Sequence, residues 1–237
     1  MTIQSARDSQ LLLQLRPDGE PTLDNFVVGA NQELIDRLRS FGSSDQLYLW
    51  GAAGSGRSHL LAAIARIANT GGKRSLLYLM ATDIGADIAL EEDALLVIDD
   101  VDLLAAAAQG ALFRVFIAAR EKRIALLFSG AQPPLQLSLR EDLRTRIGQM
   151  LIYEIKGLSD DEKADALRHY AQQRGLPLDD AVLRYLLLHG RRDLPSLLAT
   201  VDRLDETSLA RQRPPTLPLL RELMTQIHDP NPALNPD

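Results

Sequence analysis

One eight-residue stretch, Gly51-Ala52-Ala53-Gly54-Ser55-Gly56-Arg57-Ser58, constrains this chain more than any other. Glycine, four residues, glycine, a basic residue and a serine follow an apolar run, Gln46-Leu47-Tyr48-Leu49-Trp50, that reads as a strand. Beyond it Leu60, Leu61, Ile64, Ile67 and Ala68 share one face of a helix that closes at Gly71-Gly72. A strand running through a glycine-rich turn into a helix can wrap backbone N–H groups around phosphate, helped by the positive end of the helix dipole. Gly51, Ala53, Gly54, Ser55 and Gly56 supply that backbone, Ser58 is placed to ligate Mg²⁺, and the preceding basic side chain reaches the β- and γ-phosphates. The basic residue is Arg57 where the motif has lysine. A planar guanidinium does not replace an ammonium at a tight site, so binding is expected to survive while intrinsic turnover falls.

The remaining apolar runs say what this unit is built into. Leu76–Met80, Leu95–Ile98, Ile124–Phe128 and Leu151–Ile155 are short, rich in Leu, Ile and Val, and poorly alternating, as in strands covered on both faces of a parallel sheet. Helical stretches such as Leu112, Phe113, Phe116 and Ile117 lie between several of them, which predicts a parallel five-stranded α/β core. Met80 to Leu95 is too short for a full crossover helix and reads as irregular. A helix starts near Asn31, a candidate N-cap, with Leu34, Ile35, Leu38 and Phe41 at helical spacing. After Leu158 the strands stop. Ser159-Asp160-Asp161-Glu162 forms a capping box for a helix to about Arg174. Two more follow, one from about Asp179 to His189 and one carrying Leu194, Leu197, Leu198, Val201 and Leu204, and a last short one lies beyond Pro214-Pro215. The expected organisation is a flexible segment 1–21, an α/β core 22–158, a small all-helical lid 159–228 and a disordered tail 229–237.

Two further clusters complete the chemistry. Leu95-Leu96-Val97-Ile98-Asp99-Asp100 is an apolar strand ending in two acids. Beyond a phosphate loop, Asp99 would hold Mg²⁺ through water and Asp100 would orient or deprotonate the attacking water. Ser129 ends a central strand, where a polar side chain would face the γ-phosphate, because ligands bind outside the carboxyl ends of parallel strands. Composition bounds the rest. The net charge of −6 argues against a broad nucleic-acid footprint, the lack of cysteine excludes disulfides and thiolate metal sites, and no apolar run suits a signal peptide or membrane helix. The expectation is a cytoplasmic protein without membrane attachment.

Together these residues resemble the AAA+ ATPases, and more narrowly their DnaA branch. Thr22-Leu23-Asp24-Asn25-Phe26-Val27-Val28-Gly29 is similar to the segment that cradles adenine in that branch, which implies roles for Phe26, Val27 and Val28. Leu143-Arg144-Thr145-Arg146-Ile147 resembles its arginine-finger box, with the finger at Arg146. Gly190-Arg191-Arg192-Asp193-Leu194 stands where the branch has its sensor 2 arginine, matching Arg192, and Ser129 stands at sensor 1. Within the branch the sequence is similar to the Hda family of DnaA-homologous regulatory inactivators. The loop reads Gly-Arg-Ser-His, with Arg57 and His59, and Gln10-Leu11-Leu12-Leu13-Gln14-Leu15 resembles the family's sliding-clamp peptide, with Gln10, Leu11, Leu13 and Leu15 as contacts. The sequence ends soon after the lid, which fits a relative without DnaA's helix-turn-helix domain.

That resemblance implies ADP or ATP with Mg²⁺ as cofactors, and the β subunit sliding clamp of DNA polymerase III and DnaA as partners. Direct DNA binding is expected to be weak, and self-association is left open. It also implies a negative regulator of replication initiation, a weak ATPase in itself, that promotes hydrolysis of DnaA-bound ATP through Arg146. The rivals are an autonomous AAA+ ATPase or loader and a non-catalytic nucleotide-gated adaptor.

Overall fold

The computed structural model describes residues 20–71 and 75–228, with nothing stated of the side chains of 226–228. The clamp-like peptide Gln10–Leu15 and the tail 229–237 lie outside the described residues. The chain divides into two compact units, one spanning Glu20–Gly157 and one beginning at Leu158.

In the first unit the order is α1 (Gln32–Arg39), β1 (Gln46–Trp50), α2 (Arg57–Thr70), β2 (Leu76–Met80), β3 (Leu95–Asp99), α3 (Ala106–Ala119), β4 (Ala125–Gly130), α4 (Glu141–Gly148) and β5 (Leu151–Glu154). All five strands are parallel, in the order β2-β3-β4-β1-β5. Side-chain alternation divides the apolar residues between two cores. Leu96, Ile98, Leu126 and Phe128 pack with Leu112, Val115 and Phe116 of α3 and with Leu143 and Ile147 of α4. Their neighbours Leu95, Val97, Ala125 and Leu127 face the opposite way, onto Leu34, Ile35 and Leu38 of α1 and Leu60, Leu61 and Ile64 of α2. Covering both faces removes any need for polar alternation, which is why the central runs read as continuously apolar.

The edges depart from the sequence reading. The run at Leu151–Ile155 was expected to be covered on both faces, yet β5 is an edge strand, with Leu151 49% and Ile152 41% exposed. Apolar content alone does not separate an edge from a centre. The link from β2 to β3 contains a 3₁₀ turn at Ala81–Asp83 and no α-helix, as its length demanded. Asn31 precedes α1, but its side chain makes no capping bond. It donates to the carbonyls of Val28 and Lys156 and accepts from the Lys156 N–H, pinning the start of α1 to the chain just after β5. The N-cap reading of its side chain is therefore corrected: a partner 125 residues away outcompetes the local amides.

The second unit is helical: α5 (Asp160–Gln173), α6 (Asp180–His189), α7 (Leu194–Arg211) and α8 (Leu217–His228). The capping box forms, with Ser159 accepting from the Glu162 N–H and Glu162 accepting from the Ser159 N–H. Asp193 caps α7 through the Ser196 N–H at 2.9 Å, and Pro195 sits in the first turn, where its missing N–H costs nothing. Leu167, Tyr170, Leu183, Leu186, Leu197, Val201, Leu204 and Leu220 form this unit's own core. No helix among the described residues is long and apolar enough to cross a membrane.

Candidate nucleotide site

Strand register gathers the site. Trp50 pairs with Gly130 and Met80 with Asp99, so the carboxyl ends of β1, β3 and β4 lie along one edge of the sheet. This is where ligands settle on parallel sheets. From Trp50 the chain turns through Gly51–Gly56 into α2, with Gly54 at φ 78° and Gly56 at φ 97°. Both lie in the left-handed region that only glycine enters freely. A Cβ on Gly51 would stand 2.8 Å from the Ile155 carbonyl oxygen, and one on Gly56 would stand 2.6 Å from the Phe26 ring. Gly51 is thus required by space, and Gly56 by both space and conformation.

Around the loop, Phe26 lies against Gly56 and against His59, with ring centroids 5.7 Å apart. His59 Nε2 is 2.9 Å from the Thr22 carbonyl, so α2 is tied back to the segment that carries Phe26. Burial lowers the imidazole pKa and the Thr22 contact partly opposes that shift. Phe26 and Val28 are half-buried against the α1/α2 core, and Val27 is half-buried as well. Ser58 is exposed on the first turn of α2.

The two acids have separate environments. Asp99 is 1% exposed, accepts a hydrogen bond from the Ser129 hydroxyl, and has Tyr78 Oη 3.4 Å from its other oxygen. Burial, together with proximity to Asp99, pushes the Tyr78 phenol up. The Ser129 hydroxyl also accepts the Asp100 N–H at 3.0 Å. Ser129 lies inside β4 and is fully buried. Its hydroxyl thus joins the acidic strand end, binding both Asp99 and the backbone of Asp100. Asp100 sits at φ 54°, ψ 55°, and its carboxylate meets the Arg57 guanidinium at 3.1 Å. Burial raises the Asp100 pKa, Arg57 opposes the shift, and Asp99 and Asp102 add to it.

Two polar atoms at the loop, Ser55 Oγ and Arg57 Nη1, are buried without a hydrogen-bond partner among the described residues. Buried polar groups are nearly always satisfied, so orphans inside a glycine cradle fit an anionic ligand. Gly51–Gly56, Ser55 and Arg57 could hold the phosphates of ADP or ATP, and Ser58 with Asp99 could hold Mg²⁺. No cluster of three or more His, Cys, Asp or Glu forms a metal site of its own among the described residues.

Arg146 belongs to a different surface. It lies on α4, in an open groove of about 820 Å³ lined by Phe113, Arg140, Glu141, Asp142, Thr145 and Gln149. Its guanidinium stands over the Phe113 ring at 5.7 Å and has no ion-pair partner among the described residues. Arg192 is exposed in the helical unit, in the bend before Asp193. The sequence reading missed Tyr78, Phe113 and the Arg57–Asp100 pair. Tyr78 carried a signal, a hydroxyl on the side chain of an otherwise apolar strand.

Residues 160–224 match the family model of the Hda lid domain. Among solved structures the chain is similar to domain III of the replication initiation protein DnaA from Thermotoga maritima, with a TM-score of 0.70 and 18% identity over 86% of this chain and 95% of that one. It is also similar to AMPPCP-bound DnaA from Aquifex aeolicus, at TM-score 0.67 and 20% identity, covering 78% of this chain and 65% of that chain. The Thermotoga maritima RuvB Holliday junction branch migration motor aligns at TM-score 0.65 and 16% identity, over 86% and 71% of the two chains. At such identities these likenesses establish the fold.

Proposed function

We propose that this chain, whose residues 160–224 match the Hda lid domain and whose fold is similar to that of DnaA domain III, is an Hda-type protein that negatively regulates chromosome replication by promoting hydrolysis of DnaA-bound ATP. The match of the lid over residues 160–224 carries this reading, since it separates the chain from DnaA itself. Gly51–Ser58 binds ADP or ATP, and Phe26 to Val28 take the adenine side. Mg²⁺, when bound, would supply positive charge against the phosphates. Ser58 would hold it, with Asp99, fixed by Ser129 and Tyr78, acting through water. Arg192 in the lid is the sensor 2 arginine.

The residue that acts on the partner is Arg146. A guanidinium with no ion pair among the described residues is available to a neighbouring γ-phosphate, where a cation supplied in trans is worth about 10³–10⁵ in rate in related phosphoryl transfers. Its unpaired state over Phe113 supports that role, since a salt-bridged arginine would have to break a bond first. Gln10, Leu11, Leu13 and Leu15 dock the β clamp and bring the finger to DNA-bound DnaA.

The test measures turnover of DnaA-bound ATP in the presence of clamp-loaded DNA. Arg146→Ala is expected to abolish stimulation while clamp retention persists. A Gln10/Leu13/Leu15 alanine variant is expected to lose clamp retention. Undiminished stimulation by Arg146→Ala would refute the finger, and steady hydrolysis by the purified chain alone would favour an autonomous ATPase.

A further inference from the structure

We propose that Arg57 is a two-sided clamp: one edge of its guanidinium holds Asp100 and the other holds a phosphate of the bound nucleotide, so the site keeps its nucleotide while withholding its own acid from water. This rests on the nucleotide-binding reading of Gly51–Ser58. Arg57 Nη2 lies 3.1 Å from Asp100 Oδ1, and the two side chains are 13% and 27% exposed. The other terminal nitrogen, Nη1, is buried without a partner, as is the hydroxyl of Ser55 in the same loop. A planar fork makes two directional contacts at once, whereas the ammonium of a lysine is a single point charge on a flexible stem. The arginine thus occupies the motif's lysine position and also reaches an acid across the site.

Asp100 is not free to swing away. Its backbone is held at φ 54°, ψ 55°, and its N–H is fixed to Ser129 Oγ. Aspartate enters this left-handed region more readily than most residues, and the bond to Ser129 holds its backbone there. In hydrolysis the water oxygen bonds to the γ-phosphorus, the bond to the bridging oxygen breaks with its electrons leaving on ADP, and the water proton passes to a carboxylate. While Asp100 Oδ1 is paired with Arg57, that acceptor is engaged. The site then retains nucleotide and turns it over slowly.

Three measurements on the full chain test this. Arg57→Lys is expected to bind ADP by calorimetry and to hydrolyse ATP at least about tenfold faster than the wild type, a modest part of the roughly 10²–10⁴ that positioned acid–base groups supply. Adding Asp100→Asn is expected to erase that gain. Without nucleotide, a double-mutant cycle of Arg57→Ala and Asp100→Ala should show coupling of at least about threefold in the unfolding equilibrium constant, a readout independent of turnover. No gain in Arg57→Lys, a gain that survives Asp100→Asn, loss of ADP by a normally melting Arg57→Lys, or coupling near unity would each overturn the proposal. A wild type that binds no ADP overturns it too, and is distinguishable because the nucleotide-binding reading falls with it.

Discussion

Ser129→Ala removes one oxygen from a fully buried position and leaves two groups without their partner. The hydroxyl donates to Asp99, a carboxylate that is 1% exposed, and accepts the N–H of Asp100. A hydrogen bond to a charged group contributes about 1.5–3 kcal/mol, and an orphaned buried donor costs about 1–3 kcal/mol. Tyr78 still stands 3.4 Å from the second Asp99 oxygen, which places the total near the lower end, about 3 kcal/mol. Trp50, the only tryptophan in the sequence, ends β1 in the same unit and reports its unfolding by fluorescence. In urea, a slope of roughly 1–3 kcal/mol per molar converts that loss into a midpoint shift of at least about 1 M. Asp99→Asn should be less harmful in the Ser129→Ala background than alone, because it removes the uncompensated charge. A loss below about 1 kcal/mol, or strictly additive effects, would refute the idea that Ser129 exists to hold the two acids.

Gly56→Ala places a Cβ 2.6 Å from Phe26 Cε2 at φ 97°. It should cost about 1–2 kcal/mol in stability and weaken ADP more than stability, measured by calorimetry beside urea unfolding. His59 has its pKa lowered by burial, so its contribution to stability is complete above the unfolded value of about 6.5 and is lost as pH falls through that value toward the folded one. The wild-type urea midpoint should therefore drop more between about pH 7.5 and pH 5.5 than that of His59→Gln. In the lid, Tyr170 Oη and Arg174 Nη2 meet Asp202 Oδ1 at 2.6 and 3.0 Å, with the Arg174 guanidinium 4.8 Å from the Tyr170 ring. Asp202→Asn keeps the shape but removes the charge, and faster amide exchange in α5 and α7 is its expected signature.

The parts legible from sequence were those decided locally. A glycine loop between an apolar strand and an amphipathic helix has one sensible geometry, and β1 and α2 begin and end where that geometry requires. The capping box at Ser159 likewise involves residues three apart. Features set by distant chain were not legible. Asn31 looked like an ordinary cap because nothing nearby announces Lys156, and the bond from Ser129 to Asp99 was not foreseen because only the pairing of β3 with β4 brings the two together. Arg57 was read as a phosphate ligand, but its ion pair depends on Asp100 adopting a left-handed backbone that no local pattern encodes. Nor does apolar content reveal that β5 is an edge, since Leu151 and Ile152 look like the interior residues of β3 and β4.

Every proposed role of this protein depends on the grip of the Gly51–Ser58 backbone on a nucleoside polyphosphate. Isothermal titration of the nucleotide-free full chain with MgADP should give one site per chain, with affinity that collapses in Gly56→Ala and Arg57→Ala variants that remain cooperatively folded at the assay temperature. A flat titration of a folded wild type, or binding indifferent to both substitutions, would contradict it.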